Sequence, residues 1–214
     1  MDRHEVQAFV RRHRKSSGSF FERKLWDLAE LAPLGGSTPG GSPSNPYLLR
    51  IYVSPRDPQF KWLWTAVRLY ADIGEYDPQV FQGVPHLYLH YFFRGDADFE
   101  VHNHPWRFSM SVILTGGYIE ERWDPLRKAL DTKHFDPGDI NVIRSTDYHR
   151  VTLKAPERGC WTLFLSSDRL DAKNGYDWGF LDPKTEKYTP WGEFLQARAE
   201  RSERDSAERY PAEL

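Results

Sequence analysis

Hydrophobic and polar positions change their period along this chain. Val6, Phe9 and Val10 recur at helical spacing, and Phe21, Leu25, Leu28, Ala29 and Ala32 repeat the pattern more strongly, which predicts helices within residues 1–34. Arg11, Arg12, Arg14 and Lys15 form a basic run between the two stripes, read as a solvated helix face rather than a phosphate contact. Residues 35–46, from Gly35 to Pro46, are rich in Gly, Ser and Pro and carry no periodic apolar face, so they predict an irregular linker. Phe60, Leu63, Trp64, Val67, Tyr70 and Ile73 return to helical spacing, which predicts a helix over 60–73 with Gly74 at its end.

Elsewhere the period is two. Strands are expected over Tyr47–Val53, Leu87–Phe93, Phe99–His104, Met110–Leu114, Tyr118–Trp123, Ile140–Arg144, Tyr148–Leu153 and Trp161–Ser166. Gly95-Asp96, Gly116-Gly117 and Asp136-Pro137-Gly138-Asp139 supply turns, and Asp124–Lys133 reads as a loop or short helix. Many short strands between turns point to an all-β barrel or sandwich over 47–192. Residues 193–214 have mixed charge and little apolar face, which suits an exposed C-terminal helix or tail.

Composition narrows the function. The chain has 214 residues, a net charge of −2 and 15% aromatic residues, so large rings can fill a core while no global field attracts nucleic acid or an anionic membrane. The single cysteine, Cys160, excludes an internal disulfide and a cysteine-based zinc site; it reads as a small buried apolar group. No apolar run reaches the roughly 20 residues that cross a bilayer, and no signal-peptide pattern opens the sequence. A soluble, cytoplasmic protein is expected, and a homodimer is compatible with this reading. There is no glycine-rich phosphate loop and no Gly-x-Ser-x-Gly elbow, which argues against nucleotide-binding and serine-hydrolase chemistry.

The stretch Phe99-Glu100-Val101-His102-Asn103-His104-Pro105-Trp106 carries the chemistry. On a strand, residues i and i+2 share a face, so His102 and His104 can share a metal ion. His149 is the best third ligand, because it begins a different strand after Pro137-Gly138-Asp139. His90 lies within a dense β run and is read as a core or supporting histidine. Arg107, Arg122, Arg144 and Arg150 lie on or beside these strands and are candidates for holding a substrate carboxylate or phosphate. Tyr88, Tyr118 and Tyr148 are candidate phenol donors, and Trp106 is a candidate pocket wall. The plainer reading is that the arginines pair with Glu120, Glu121 or Asp124 at the surface.

These motifs resemble the cupin superfamily. Gly95, His102, His104 and Gly116 match its first motif, and Pro137-Gly138 with His149 matches a varied form of its second. The segments His-x-His-Pro-Trp, Ile113–Tyr118, His149-Arg150-Val151, Trp161-Thr162-Leu163 and Trp178-Gly179-Phe180 are also similar to a bacterial and phage cupin-like family. The resemblance covers about residues 87–192. It implies an antiparallel double-sheet β-barrel, a jelly roll, with helical N- and C-terminal extensions. The family glutamate falls near Ser109 here, a poor ligand, so the implied site is three histidines without a carboxylate, as in cysteine dioxygenase and other three-histidine cupins. Glu120 or Glu121 reaching inward is the alternative.

A mononuclear metalloenzyme acting on a small, anionic molecule is therefore the leading expectation, with Fe(II)-dependent oxygenation first. Fe(II) suits oxygen chemistry on a chelating substrate, whereas Zn, Mn or Ni would serve a redox-neutral isomerase, lyase or hydrolase. A non-catalytic ligand-binding module is the third reading.

Overall fold

The computed structural model describes residues 1–14, 19–31, 36–37, 46–53, 58, 86–96, 98–170, 177–198 and 200. The helix expected over 60–73 lies outside these residues, as does most of the expected linker.

Two helices open the chain, α1 (Arg3–His13) and α2 (Phe20–Glu30). Each begins with a capping box: Asp2 and Glu5 satisfy each other's backbone N–H groups at α1, and Ser19 with Glu22 does the same at α2. Among the described residues twelve strands follow: β1 (Gly36–Ser37), β2 (Leu48–Val53), β3 (His86–Phe92), β4 (Val101–His102), β5 (Phe108–Thr115), β6 (Tyr118–Asp124), β7 (Ala129–Phe135), β8 (Ile140–Arg144), β9 (His149–Leu153), β10 (Cys160–Ser166), β11 (Gly179–Leu181) and β12 (Tyr188–Pro190). A helix over 191–198 follows them.

Among the described residues all pairings are antiparallel and form two six-stranded sheets, ordered β1-β2-β3-β10-β5-β8 and β12-β11-β4-β9-β6-β7. The double-sheet architecture agrees with the expectation, but the ladders do not close into a barrel. Gly116 and Gly117, with φ of 80° and 107°, carry the chain from β5 in one sheet to β6 in the other within two residues. A Cβ on Gly116 would lie 2.2 Å from the Gly159 carbonyl oxygen, so only glycine fits that crossing.

Strand alternation divides the first sheet cleanly. Leu49, Ile51, Val53, Leu87, Leu89, Tyr91, Met110, Trp161, Leu163 and Leu165 form one core with Val6, Phe9, Val10, Leu25, Trp26 and Ala29 of the helices. Trp26 meets Trp161 edge-on at 4.9 Å. The segment expected as an N-terminal extension thus shares its apolar face with this sheet. The opposite side chains, including Arg50, His90, Ser111 and Phe164, face a cavity of about 340 Å³ that His102, His149, Val151 and Tyr118 of the second sheet also line.

Three local expectations change. Asp124–Lys133 is largely strand: β7 pairs with β6 along Tyr118–Asp124, an edge strand held by its ladder without an alternating apolar pattern. The strand expected over Phe99–His104 narrows to Val101–His102. Gly36 and Ser37, inside the expected linker, pair with Ile51 and Arg50.

Candidate metal centre

His102 and His149 are direct cross-strand partners on β4 and β9. His104 lies two residues beyond His102, and the segment between is clamped by Asn103. The Asn103 amide N–H₂ donates to the Ser145 carbonyl at 3.0 Å, and its Oδ1 accepts from Gly179 N–H at 2.8 Å. This buried amide turns away from the cavity and so holds both neighbouring histidines toward it. Asn103 was not singled out in the sequence; its place between two inward histidines is the signal. The result brings His102, His104 and His149 together, one ligand nitrogen from each within 4.8 Å of the others.

His149 is fixed from behind. Its Nδ1 lies 2.7 Å from Glu120 Oε1. Burial by itself would raise the Glu120 carboxyl, but hydrogen bonds from His149 and Asn141 and the Arg122 charge hold it at about 2. An ionised carboxylate only accepts, so His149 Nδ1 carries a proton, and Nε2 is the ring nitrogen that faces the cluster. That Nε2 lies 2.9 Å from His104 Nε2. Burial pushes His102 down to about 4 against the opposing pull of Asp96, and pushes His104 well below the ordinary range, with His102 and His149 adding to it. Burial thus favours the neutral form of His102 and His104, the form of imidazole that binds divalent metals. The donor set fits a single ion with open positions, and Glu120 behind His149 matches the carboxylate–histidine arrangement that orients metal ligands.

The structure corrects the placement of the glutamates and arginines. Glu120 reaches inward, as one alternative foresaw, but it bonds to the outer nitrogen of His149 and is not one of the clustered ligands. Glu121 faces out and pairs with Arg150 at 2.7 Å. Arg150 also donates to the Phe99 carbonyl, Arg107 is exposed, and neither lines the cavity. Arg122 is bound to both Glu120 oxygens, to Asp147, to Asn141 Oδ1 and to the Val142 carbonyl. Its charge is spent on the carboxylate that holds His149. The plainer reading, arginines paired with nearby acids, is what the side chains show for Arg122 and Arg150.

Among the other candidates, Tyr118 lines the cavity and its hydroxyl accepts from the Asn141 amide at 3.1 Å. Burial raises its pKa, so the phenol stays protonated. Tyr88 does not line the cavity; it stacks beside His90, under the Arg50 guanidinium. His90 is buried and stands outside the three-histidine cluster, accepting at Nε2 from Arg50 Nε at 3.0 Å. Trp106 stacks on His104 with ring centroids 5.4 Å apart and forms a wall. Ser109 is buried on β5, and Ser111, one alternation further, lines the cavity instead.

At the mouth, Trp191 stacks on Trp178 at 4.1 Å and Phe194 on Phe180 at 3.7 Å, so the 191–198 helix covers one side. Phe180 in turn lies 5.6 Å from His102.

Comparison with protein-family models and with curated proteins gives no match. Solved structures give partial likenesses. KdgF from Halomonas sp. is 14% identical with a TM-score of 0.34, covering 58% of this chain and 84% of that one. A variant of oxalate decarboxylase from Bacillus subtilis is 15% identical with a TM-score of 0.36, over 59% of this chain and 27% of that one. Hydroxypropylphosphonic acid epoxidase from S. wedmorenis is 10% identical with a TM-score of 0.35, over 57% and 51%. This chain thus spans about a quarter of the decarboxylase and half of the epoxidase. None of these values supports transfer of a substrate or a reaction. No helix among the described residues is long and apolar enough to cross a membrane.

Proposed function

We propose that this protein is a mononuclear metal-dependent enzyme acting on a small, anionic organic molecule, with Fe(II)-dependent oxygenation as its reaction. The observation that carries the proposal is the convergence of His102, His104 and His149 at the wall of one cavity. A divalent ion held by them supplies a Lewis acid and, if it is iron, redox capacity.

The remaining roles belong to the chain. Glu120 keeps the proton on His149 Nδ1, which leaves Nε2 as the donor atom. Trp106, Phe164 and Phe180 form an apolar wall beside the imidazoles against which the body of a small organic molecule can pack. The Tyr118 hydroxyl accepts from Asn141 and is also hydrogen-bonded to Ser111, which holds it at the cavity wall beside the cluster. Asp96 and Asp98, which also line the cavity, are engaged: Asp96 accepts from the Tyr47 hydroxyl and from Val151 N–H, and Asp98 pairs with Arg198.

The test is elemental analysis of protein purified without added metal, followed by oxygen consumption of Fe(II)-loaded protein with a panel of small carboxylates. Oxygen uptake that is lost in His104→Ala supports the proposal. Turnover without oxygen uptake moves the protein to the redox-neutral class of isomerases, lyases and hydrolases. Failure to hold any metal contradicts the proposal altogether.

A further inference from the structure

Among the described residues four arginines line the cavity, and they are not equivalent. Arg198 pairs with Asp98 at 2.9 Å. Arg94 lies 5.8 Å from the Tyr47 ring and has further partners. Arg169 is exposed at the mouth, 6.0 Å from the Trp178 ring. Arg50 differs from all three. It faces inward from β2, directly opposite His90 on β3. Its Nε donates to His90 Nε2, and among the described residues no carboxylate pairs with it and its two Nη groups make no hydrogen bond.

Its surroundings are aromatic. The guanidinium carbon lies 5.1 Å from the Tyr88 ring and 5.9 Å from the Trp106 ring, and Trp106 is the residue that stacks on His104. The guanidinium and the imidazole cluster are therefore joined by one indole along a single wall. Rings and one imidazole fix the orientation of the fork without neutralising it. A partly buried cation without a counterion is costly, and an oxyanion offsets that cost through two parallel N–H···O bonds. His90 cannot supply a second positive charge: burial and Arg50 itself push its pKa well below the ordinary range. Arg169 likewise has no carboxylate partner among the described residues but is exposed to solvent, so Arg50 is the partly buried charge to be matched, and it matches one negative charge.

We propose that Arg50 is the anion receptor of this cavity and that its two Nη groups bind the carboxylate of a small monoanion whose flat or apolar body lies along Trp106 and Phe164, toward the three histidines. This rests on the reading of the cavity as the substrate site, but not on the presence of metal. The other oxyanion with suitable geometry is phosphate, which in metal-free protein carries more charge than one guanidinium balances.

The experiment is titration of the full chain with benzoate and, separately, with inorganic phosphate, followed by calorimetry and tryptophan fluorescence, in metal-loaded and chelator-stripped protein. Wild type, Arg50→Gln and Arg50→Lys are compared, with folding checked by circular dichroism and metal content measured for each. The expected result is benzoate binding that weakens at least tenfold in Arg50→Gln and less in Arg50→Lys, with phosphate weaker than benzoate and metal content unchanged. Arg50-dependent benzoate binding in protein that takes up no metal upholds this inference while removing the metal centre. Equal benzoate affinity in wild type and Arg50→Gln overturns it, as does absence of binding in wild type or tighter binding of phosphate than of benzoate in chelator-stripped protein. Loss of metal in Arg50→Gln also overturns it, since Arg50 would then act as scaffold for the imidazoles. If Arg50→Gln does not fold, Arg50→Lys decides: the lysine keeps the charge but not the fork, and unchanged benzoate affinity there contradicts the proposal.

Discussion

Glu120 accepts a hydrogen bond from His149 Nδ1 at 2.7 Å while His149 Nε2 faces His104 Nε2 at 2.9 Å. One carboxylate thus decides which nitrogen of His149 is available. The carboxylate is in turn held by Arg122 and Asn141, so the chain of control runs from a buried ion pair to a donor atom.

Replacing Glu120 by Gln removes the charge and keeps most of the shape. The expected result is a loss of about 10–100-fold in metal affinity, the usual size of such supporting effects. Competition with a chromophoric chelator measures it. Glu120→Ala goes further: Arg122 keeps Asp147 but loses both Glu120 oxygens, and His149 Nδ1 loses its acceptor, so a cost of about 1–3 kcal/mol of stability is expected. Unchanged metal affinity in Glu120→Gln would mean that the histidine is oriented by packing alone.

His102→Ala removes a ligand without touching the helix–sheet core, because His102 faces the cavity from the other sheet. Most bound metal should disappear while the far-ultraviolet circular dichroism spectrum stays that of the wild type. Full metal content in this variant would show that the ion sits elsewhere.

The paired histidines were legible because strand period places i and i+2 together, and the third followed from the turn before it. The arginines show what a list of nearby residues misses. His149 and Val151 point inward, so Arg150 between them must point outward, and its pairing with Glu121 follows from the same alternation. Arg122 shares the inner face with Tyr118 and Glu120, yet nothing in the sequence tells that its partner would be the carboxylate behind a ligand. Arg50 was out of reach for a different reason. Its contact with His90 joins strands 40 residues apart, and only the β2–β3 register creates it. The edge strand β7 carried no periodic signal because its side chains are mostly exposed.

Trp26 tests whether the N-terminal helices belong to the fold. It is buried against Tyr91 and Trp161, with ring centroids 4.7 and 4.9 Å apart. Trp26→Ala should cost about 3–5 kcal/mol in urea unfolding, as for other large-to-small core changes. A cost under about 1 kcal/mol, within the range of ordinary surface substitutions, would mean that the helices contribute little to the domain.

Cys160 supplies a pH test away from the histidines. Burial pushes its thiol up to about 11 from an ordinary value of 9.0. The folded state therefore favours the neutral thiol. Its contribution to stability is complete below pH 9.0 and is lost as pH rises toward 11. Native protein at pH 8.5 should react slowly with iodoacetamide and rapidly once unfolded in urea, because the thiolate is the nucleophile. Fast labelling of the native state would contradict the buried, protonated thiol. The unfolding free energy should decline across the same alkaline window, and Cys160→Ser should flatten that decline.

The central claim is that three imidazoles hold one ion. Anomalous diffraction collected at the absorption edge of the metal found in the purified protein tests it most directly. The account predicts a single peak bounded by His102, His104 and His149, each with one nitrogen at about 2.0–2.3 Å, and Glu120 bonded to His149 rather than to the ion. A peak at any other site, or Glu120 coordinated in place of one of the three histidines, would contradict it.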